Sequence, residues 1–119
     1  VWAWTGGHAD GEGDLLSVAL REAWEETGAE HIRPLSPRIA SLDILPVWGH
    51  VKRGNYVPSH LHLNVSYLLT AEESGPLRIC QGENSSVAWL PADRLLELTN
   101  EWQMDGVYTK LLARAEELL

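Results

Sequence analysis

The sequence has a single cysteine, Cys80, and no phenylalanine among its 119 residues. One thiol cannot close an internal disulfide, so a disulfide-stapled scaffold is excluded and Cys80 is expected to be a buried small hydrophobe. No apolar run approaches the roughly 20 residues that span a bilayer, and the chain does not open with a charged segment followed by an apolar one, as an export signal would. The expectation is a reducing, cytoplasmic setting with no membrane partner. Bases are scarce: nine Lys and Arg stand against seventeen Asp and Glu, a formal net charge of -8. Such a chain repels a polyphosphate backbone unless a metal intervenes, so duplex nucleic acid is not an expected partner. There is no internal repeat, linker or low-complexity stretch. With 45% hydrophobic and 22% charged residues the composition is that of an ordinary globular domain, and the length predicts one domain over residues 1–119.

Val1-Trp2-Ala3-Trp4-Thr5 alternates like a strand entered midway, which leaves open whether residues precede Val1. Gly6-Gly7-His8-Ala9-Asp10-Gly11-Glu12-Gly13 then packs four glycines into eight residues and reads as a loop. Helical periodicity follows and predicts a helix over 14–27, with Asp14 as N-cap and Gly28 as the left-handed C-cap. Residues 39–45 alternate as strand material, and a loop with Gly49, Gly54 and Pro58 comes next. From His60 to Leu69 the alternation is clean, with Leu61, Leu63, Val65 and Tyr67 on one face and His60, His62, Asn64 and Ser66 on the other. Residues 86–90 read as a short final strand, 92–98 as a short helix and 107–118 as an amphipathic helix. Strands interleave with helices, the pattern of an α/β fold.

Most of the negative charge is local. Seven acids lie between residues 10 and 30 against one base, Arg21, a local charge of -6. On the predicted helix the apolar stripe Leu15, Val18, Ala19 continues at helical spacing into Glu22 and Glu26, with Glu25 beside them. Like charges at i and i+4 cost a helix about 0.2–0.5 kcal/mol, so stability alone does not select this arrangement. A divalent cation removes the repulsion, and Mg²⁺ is typically held by one or two carboxylates plus substrate phosphate oxygens. Arg21 reaches Glu25 at i+4 and helps orient it. The glycine loop running into the helix N-terminus permits close backbone approach and offers N–H groups to an anion. Phosphate binding beside a metal is the chemistry that follows.

These residues carry a family resemblance. Gly7 followed by Arg21-Glu22-Ala23-Trp24-Glu25-Glu26-Thr27-Gly28-Ala29 resembles the Nudix box, a glycine-headed 23-residue loop-helix signature. Residues 60–67 and 83–91 resemble, more weakly, the segments that follow the box. The resemblance implies an α/β/α sandwich around a mixed sheet and hydrolysis of a phosphoanhydride in a nucleoside diphosphate linked to another group. It implies Glu22, Glu25 and Glu26 as ligands of Mg²⁺ (or Mn²⁺), Glu22 also activating water, and Arg21 orienting them. Gly6 and Gly7 are the expected substrate-binding loop. Glu83 occupies a loop where the family often has a further carboxylate for metal or water, and Glu22 or Glu83 would take the proton. Two features depart from the family. Gly13 stands where the box has its first glutamate, with Glu12 and Asp14 flanking the gap as candidates to compensate. Only five residues precede Gly6, where the family has strands.

Rival motifs fail on spacing. Gly11 to Leu16 begins like a dinucleotide fingerprint but has Leu16 at the third small position, no Gly-Lys-Ser/Thr exists for a P-loop, and an EF-hand read from Asp10 has Leu15 where the turn glycine is needed. His60 and His62 share a strand face and are expected substrate contacts. Six tryptophans suggest base stacking at Trp2, Trp4 or Trp48, although large aromatics more often fill cores. Two alternatives stay open beside the enzyme: a catalytically weakened Nudix-like module that binds a nucleotide or sugar nucleotide, and an interaction domain that pairs through its C-terminal helix with a partner or, as a homodimer, with itself.

Overall fold

A computed structural model of the chain describes residues 2–79 and 86–119. Cys80 and Glu83 lie outside the described residues. The first regular element is helix α1, Leu15–Thr27. Asp14 caps it by accepting from the Ser17 backbone N–H at 3.2 Å and from the Ser17 hydroxyl at 2.8 Å. Gly28 ends it with φ 67°, a left-handed turn that a residue without Cβ adopts at no steric cost. Both helix signals read from the sequence are therefore found where expected.

Among the described residues six strands follow α1: β1 Glu30–Pro34, β2 Ser41–Val47, β3 His50–Lys52, β4 Asn55–Val57, β5 His60–Ser66 and β6 Leu69–Glu72. They form three antiparallel pairs, β1 with β6, β2 with β5 and β3 with β4. The α and β content agrees with the α/β expectation; no parallel pair occurs among the described residues. Segment 41–66 is in effect one long interrupted hairpin. At its tip Lys52 pairs with Asn55 across Arg53 and Gly54, both with positive φ, as a two-residue turn between twisted strands requires. At the interruption the Ser59 hydroxyl accepts from the Gly49 N–H at 2.9 Å, so the two ladders stay joined.

Several expected elements are corrected. Residues 2–5 form no strand; Trp4 instead lies edge-on to Tyr108 with ring centroids 5.4 Å apart, anchored by packing rather than by a ladder. The strand expected over 60–69 stops at Ser66, and Leu69 starts β6 on a different partner. Residues 86–90 have no strand assignment, and the helix expected over 92–98 is a 3₁₀ turn at Ala92–Arg94 followed by α2, Leu95–Thr99. A second 3₁₀ turn, Trp102–Met104, leads into α3, Asp105–Leu118, two residues longer at its start than the periodicity indicates.

The core is small and sits where α3 meets β2 and the N-terminal segment. Met104, Val107 and Tyr108 are buried, with Trp4, Leu45, Leu95 and Leu111 against them. Tyr108 is only 2% exposed, and its hydroxyl donates to Glu101 at 3.0 Å. Burial, then the Glu101 charge, holds this phenol well above its ordinary pKa. Lys110 of α3 donates to Asp43 of β2 at 2.7 Å, and Ser41 donates to the other Asp43 oxygen. Burial pushes the Asp43 carboxyl up, but the Lys110 and Ser41 hydrogen bonds and the Lys110 charge outweigh it and leave the pKa lowered.

The faces of the β2–β5 ladder are arranged oppositely to the usual apolar-in rule. Leu61 and Leu63 are 69% and 68% exposed, beside exposed Leu42 and Ile44, whereas Ser41 and Ser66 are buried and Asp43, His62 and Asn64 are half-buried. The polar face of β5 is thus the one turned toward the body of the protein.

Candidate functional site

A cleft of about 720 Å³ opens between the glycine loop, α1 and β5. Leu15, Val18, Ala19 and Glu22 of α1 form one wall, His62, Asn64 and Ser66 of β5 another, and the loop from Ala3 to Ala9 closes it. A second hollow of about 410 Å³, between Leu20, Trp24 and residues 29–32, does not reach the glycine loop.

The loop is tied to the helix through carboxylates. Glu26 accepts a hydrogen bond from the Gly6 N–H at 3.1 Å. A Cβ built on Gly7 would lie only 2.6–2.8 Å from the Glu22 carboxylate atoms, so any larger residue there would displace Glu22 or the loop. That close approach is a physical reason for glycine at this position. Glu22 is 15% exposed and Glu25 45% exposed. Arg21 lies 3.7 Å from Glu22 and 3.9 Å from Glu25, the i+4 contact expected from the sequence. Glu22 and Glu26 therefore turn to the glycine pair while Glu25 stays on the open side with Arg21. Among the described residues, no group of three or more His, Cys, Asp or Glu side chains is arranged to hold a metal ion. The donor chemistry of Glu22 and Glu26 suits a hard cation, for which one or two protein carboxylates suffice when substrate oxygens complete the shell.

The two candidates flanking Gly13 are engaged locally. Glu12 accepts from the Asp14 N–H at 2.9 Å, and Asp14 caps α1. The Ser17 side-chain and backbone hydrogen bonds lower the Asp14 pKa. Gly13 itself has open space around a built Cβ and no positive φ.

His62 joins the cleft as its position on the polar face of β5 predicts. His60 and His62 rings are 4.7 Å apart, with a 3.0 Å contact between their Nε2 atoms. The third member, His8, was not singled out from the sequence; its ring is edge-on to His62 at 5.3 Å. A histidine directly after the box glycine was the available signal. Burial, then the neighbouring His60 and His8, lowers the His62 pKa.

Trp4 belongs to the core, while Trp48 is 71% exposed at the far end of β2. Neither Trp48 nor Trp2 lines the cleft.

Compared with known families, the chain matches the NUDIX domain over residues 1–111. It belongs to the Nudix family. No curated protein is similar enough to the chain to add a closer comparison. Nudix proteins are hydrolases that generally act on pyrophosphate linkages of small nucleotide-type substrates and generally use divalent metal cations. Among the described residues of this Nudix chain, no helix is long and apolar enough to cross a membrane.

Proposed function

We propose that residues 1–119 form one Nudix hydrolase domain that cleaves a phosphoanhydride in a nucleoside diphosphate linked to another group. The observation that carries this reading is the convergence of Glu22 and Glu26 on the Gly6-Gly7 pair at the wall of the cleft. Glu22 and Glu26 would hold Mg²⁺ or Mn²⁺, with Glu25 supporting them through Arg21. The bound cation would neutralise charge between these carboxylates and the diphosphate oxygens.

The chain's own groups then have separate tasks. The glycine loop lets the diphosphate approach the backbone without steric hindrance. Arg21 restrains Glu22 and Glu25. Glu22 takes the proton of the attacking water as the new phosphorus–oxygen bond forms and the anhydride bond breaks, releasing a phosphate leaving group. Glu83 is the other candidate for this proton. The polar face of β5 supplies the substrate contacts opposite α1, in an α/β/α frame of the family type.

The test is turnover of a panel of nucleoside diphosphate derivatives with Mg²⁺ or Mn²⁺. Hydrolysis of at least one, lost in Glu22→Gln, supports the reading; no turnover of any overturns it. Gly13 favours a second reading, a nucleotide-binding module with weakened catalysis. Tight metal-dependent binding without turnover would select that one.

A further inference from the structure

A diphosphate brings more negative charge than one cation shared with the Glu22 and Glu26 carboxylates would offset, yet among the described residues no Lys or Arg lines this cleft. Its wall carries the Glu22 carboxylate instead. The protonatable nitrogens beside it are imidazoles, His8 from the loop and His62 from β5, with His60 in contact with His62. We propose that His8, His60 and His62 form a phosphate-binding subsite that takes up a proton when a nucleotide binds. The proposal rests on the reading of this cleft as a nucleotide site.

Hydrogen bonding fixes the tautomers of the pair. The Pro58 carbonyl can only accept, so the 2.8 Å contact with His60 Nδ1 puts a proton on that nitrogen. Neutral His60 then presents Nε2 as a lone pair, and His62 Nε2–H donates to it across 3.0 Å. His62 Nδ1 is left as its basic nitrogen. Protonation there creates an imidazolium that burial, then the neighbouring His60 and His8, disfavour in the free protein. A phosphate group supplies the missing counter-charge, so anion binding and proton uptake favour each other.

The other charged groups around the trio do not fill this role. Glu22 faces it from α1, and a negative charge there favours the imidazolium but repels phosphate. Asp43 lies two residues along β2 from Leu45, the cross-strand partner of His62, and is bonded to Lys110 of α3. Tyr67, beyond the end of β5, lines the cleft with a hydroxyl-bearing ring.

The experiment is calorimetric titration of the whole chain with ADP and Mg²⁺ at pH 7, in two buffers of different ionisation enthalpy, with adenosine as the phosphate-free control. The expected result is net proton uptake with ADP and none with adenosine. A ligand that raises an imidazole by about one pKa unit binds its protonated form about tenfold more tightly. At pH 7 much of the free protein must first take up that proton, so in His62→Gln the uptake should fall and Kd for ADP should rise by about threefold at most, and His8→Gln should weaken binding in the same direction. ADP binding without proton uptake and with equal affinity in both variants would overturn the subsite while leaving the nucleotide site standing. Uptake that persists in both variants would also overturn it, since the proton then goes elsewhere. Failure of the wild-type protein to bind ADP would overturn the nucleotide reading and the subsite together.

Discussion

The Glu26 carboxylate accepts a hydrogen bond from the Gly6 N–H at 3.1 Å, across twenty residues of sequence. The contact joins the glycine loop to the last turn of α1, and it makes Glu26 and Glu25 inequivalent despite their adjacency. Glu25 sits on the open side, 3.9 Å from Arg21. Loss of a directly ligating carboxylate should cost more than loss of an outer one, for which affinity falls about 10–100-fold. Glu26→Gln is therefore expected to weaken Mn²⁺ binding by at least about tenfold, and Glu25→Gln by less. Calorimetry on the two variants checks the order; equal losses would mean that the carboxylates rearrange to share the cation.

His62 provides a pH prediction. Burial, then the neighbouring His60 and His8, put its folded pKa below the ordinary imidazole range. A depressed imidazole pKa means that the unfolded chain binds the proton more readily, so this contribution to stability is complete above the unfolded value and is lost as pH falls through the folded one. Proton NMR should find the His62 ring titrating below ordinary imidazole. In His60→Gln the His62 value should rise only partway, because burial is the larger cause and remains.

The buried hydroxyl of Tyr108 gives a stability prediction. It donates to Glu101 within the small core, and a neutral hydrogen bond of this kind contributes about 1 kcal/mol, more when the acceptor is charged. Tyr108→Phe should lower unfolding free energy by about 1–2 kcal/mol without altering the cleft. The raised phenol pKa has a definite sign: the unfolded chain ionises first, so wild-type stability should decline as pH climbs above about 10. Urea titrations of both proteins at neutral and alkaline pH read this directly, and the alkaline decline should be smaller in the variant.

Legibility in the sequence followed the range of the interactions. The boundaries of α1 were readable because Asp14, Ser17 and Gly28 act within one helical turn. The β3–β4 hairpin was not, because its turn uses Arg53-Gly54 rather than an asparagine or aspartate before glycine, and Arg53 bears the positive φ that tertiary context imposes. The face pattern of β5 was correct, but which face is covered depends on where α1 and α3 pack, and alternation is silent on that. Of the residues that spacing singles out, Gly7, Glu22 and His62 line the cleft, Glu26 bonds to Gly6 beside it, and Glu25 and His60 do not line it. The separation of Glu25 from its neighbours and the arrival of His8 beside His62 are products of loop conformation, which no periodicity encodes.

Gly13 decides between a working enzyme and a binding module, and the structure makes the experiment clean. A Cβ there meets nothing within 4 Å and the backbone has no positive φ, so Gly13→Glu introduces no backbone strain and tests charge. If the loop lacks a carboxylate that catalysis needs, Gly13→Glu should raise kcat/KM by about tenfold, equivalent to about 1.4 kcal/mol. If Glu12 or Asp14 compensates, the added charge is redundant or harmful, and Glu12→Gln or Asp14→Asn should reduce activity. Asp14 needs two variants because it also caps α1. Asparagine is an equally good cap, so Asp14→Asn removes only the charge, whereas Asp14→Ala removes the cap as well and should cost about 1 kcal/mol of stability. Compensation is the expected outcome, since Arg21, Glu22, Glu25 and Glu26 all remain in place around the loop. Steady-state kinetics on one confirmed substrate with saturating Mg²⁺, beside thermal unfolding of each variant, separate the two effects. A large gain from Gly13→Glu with no loss from Glu12→Gln or Asp14→Asn would defeat compensation and leave the chain as mainly a binder.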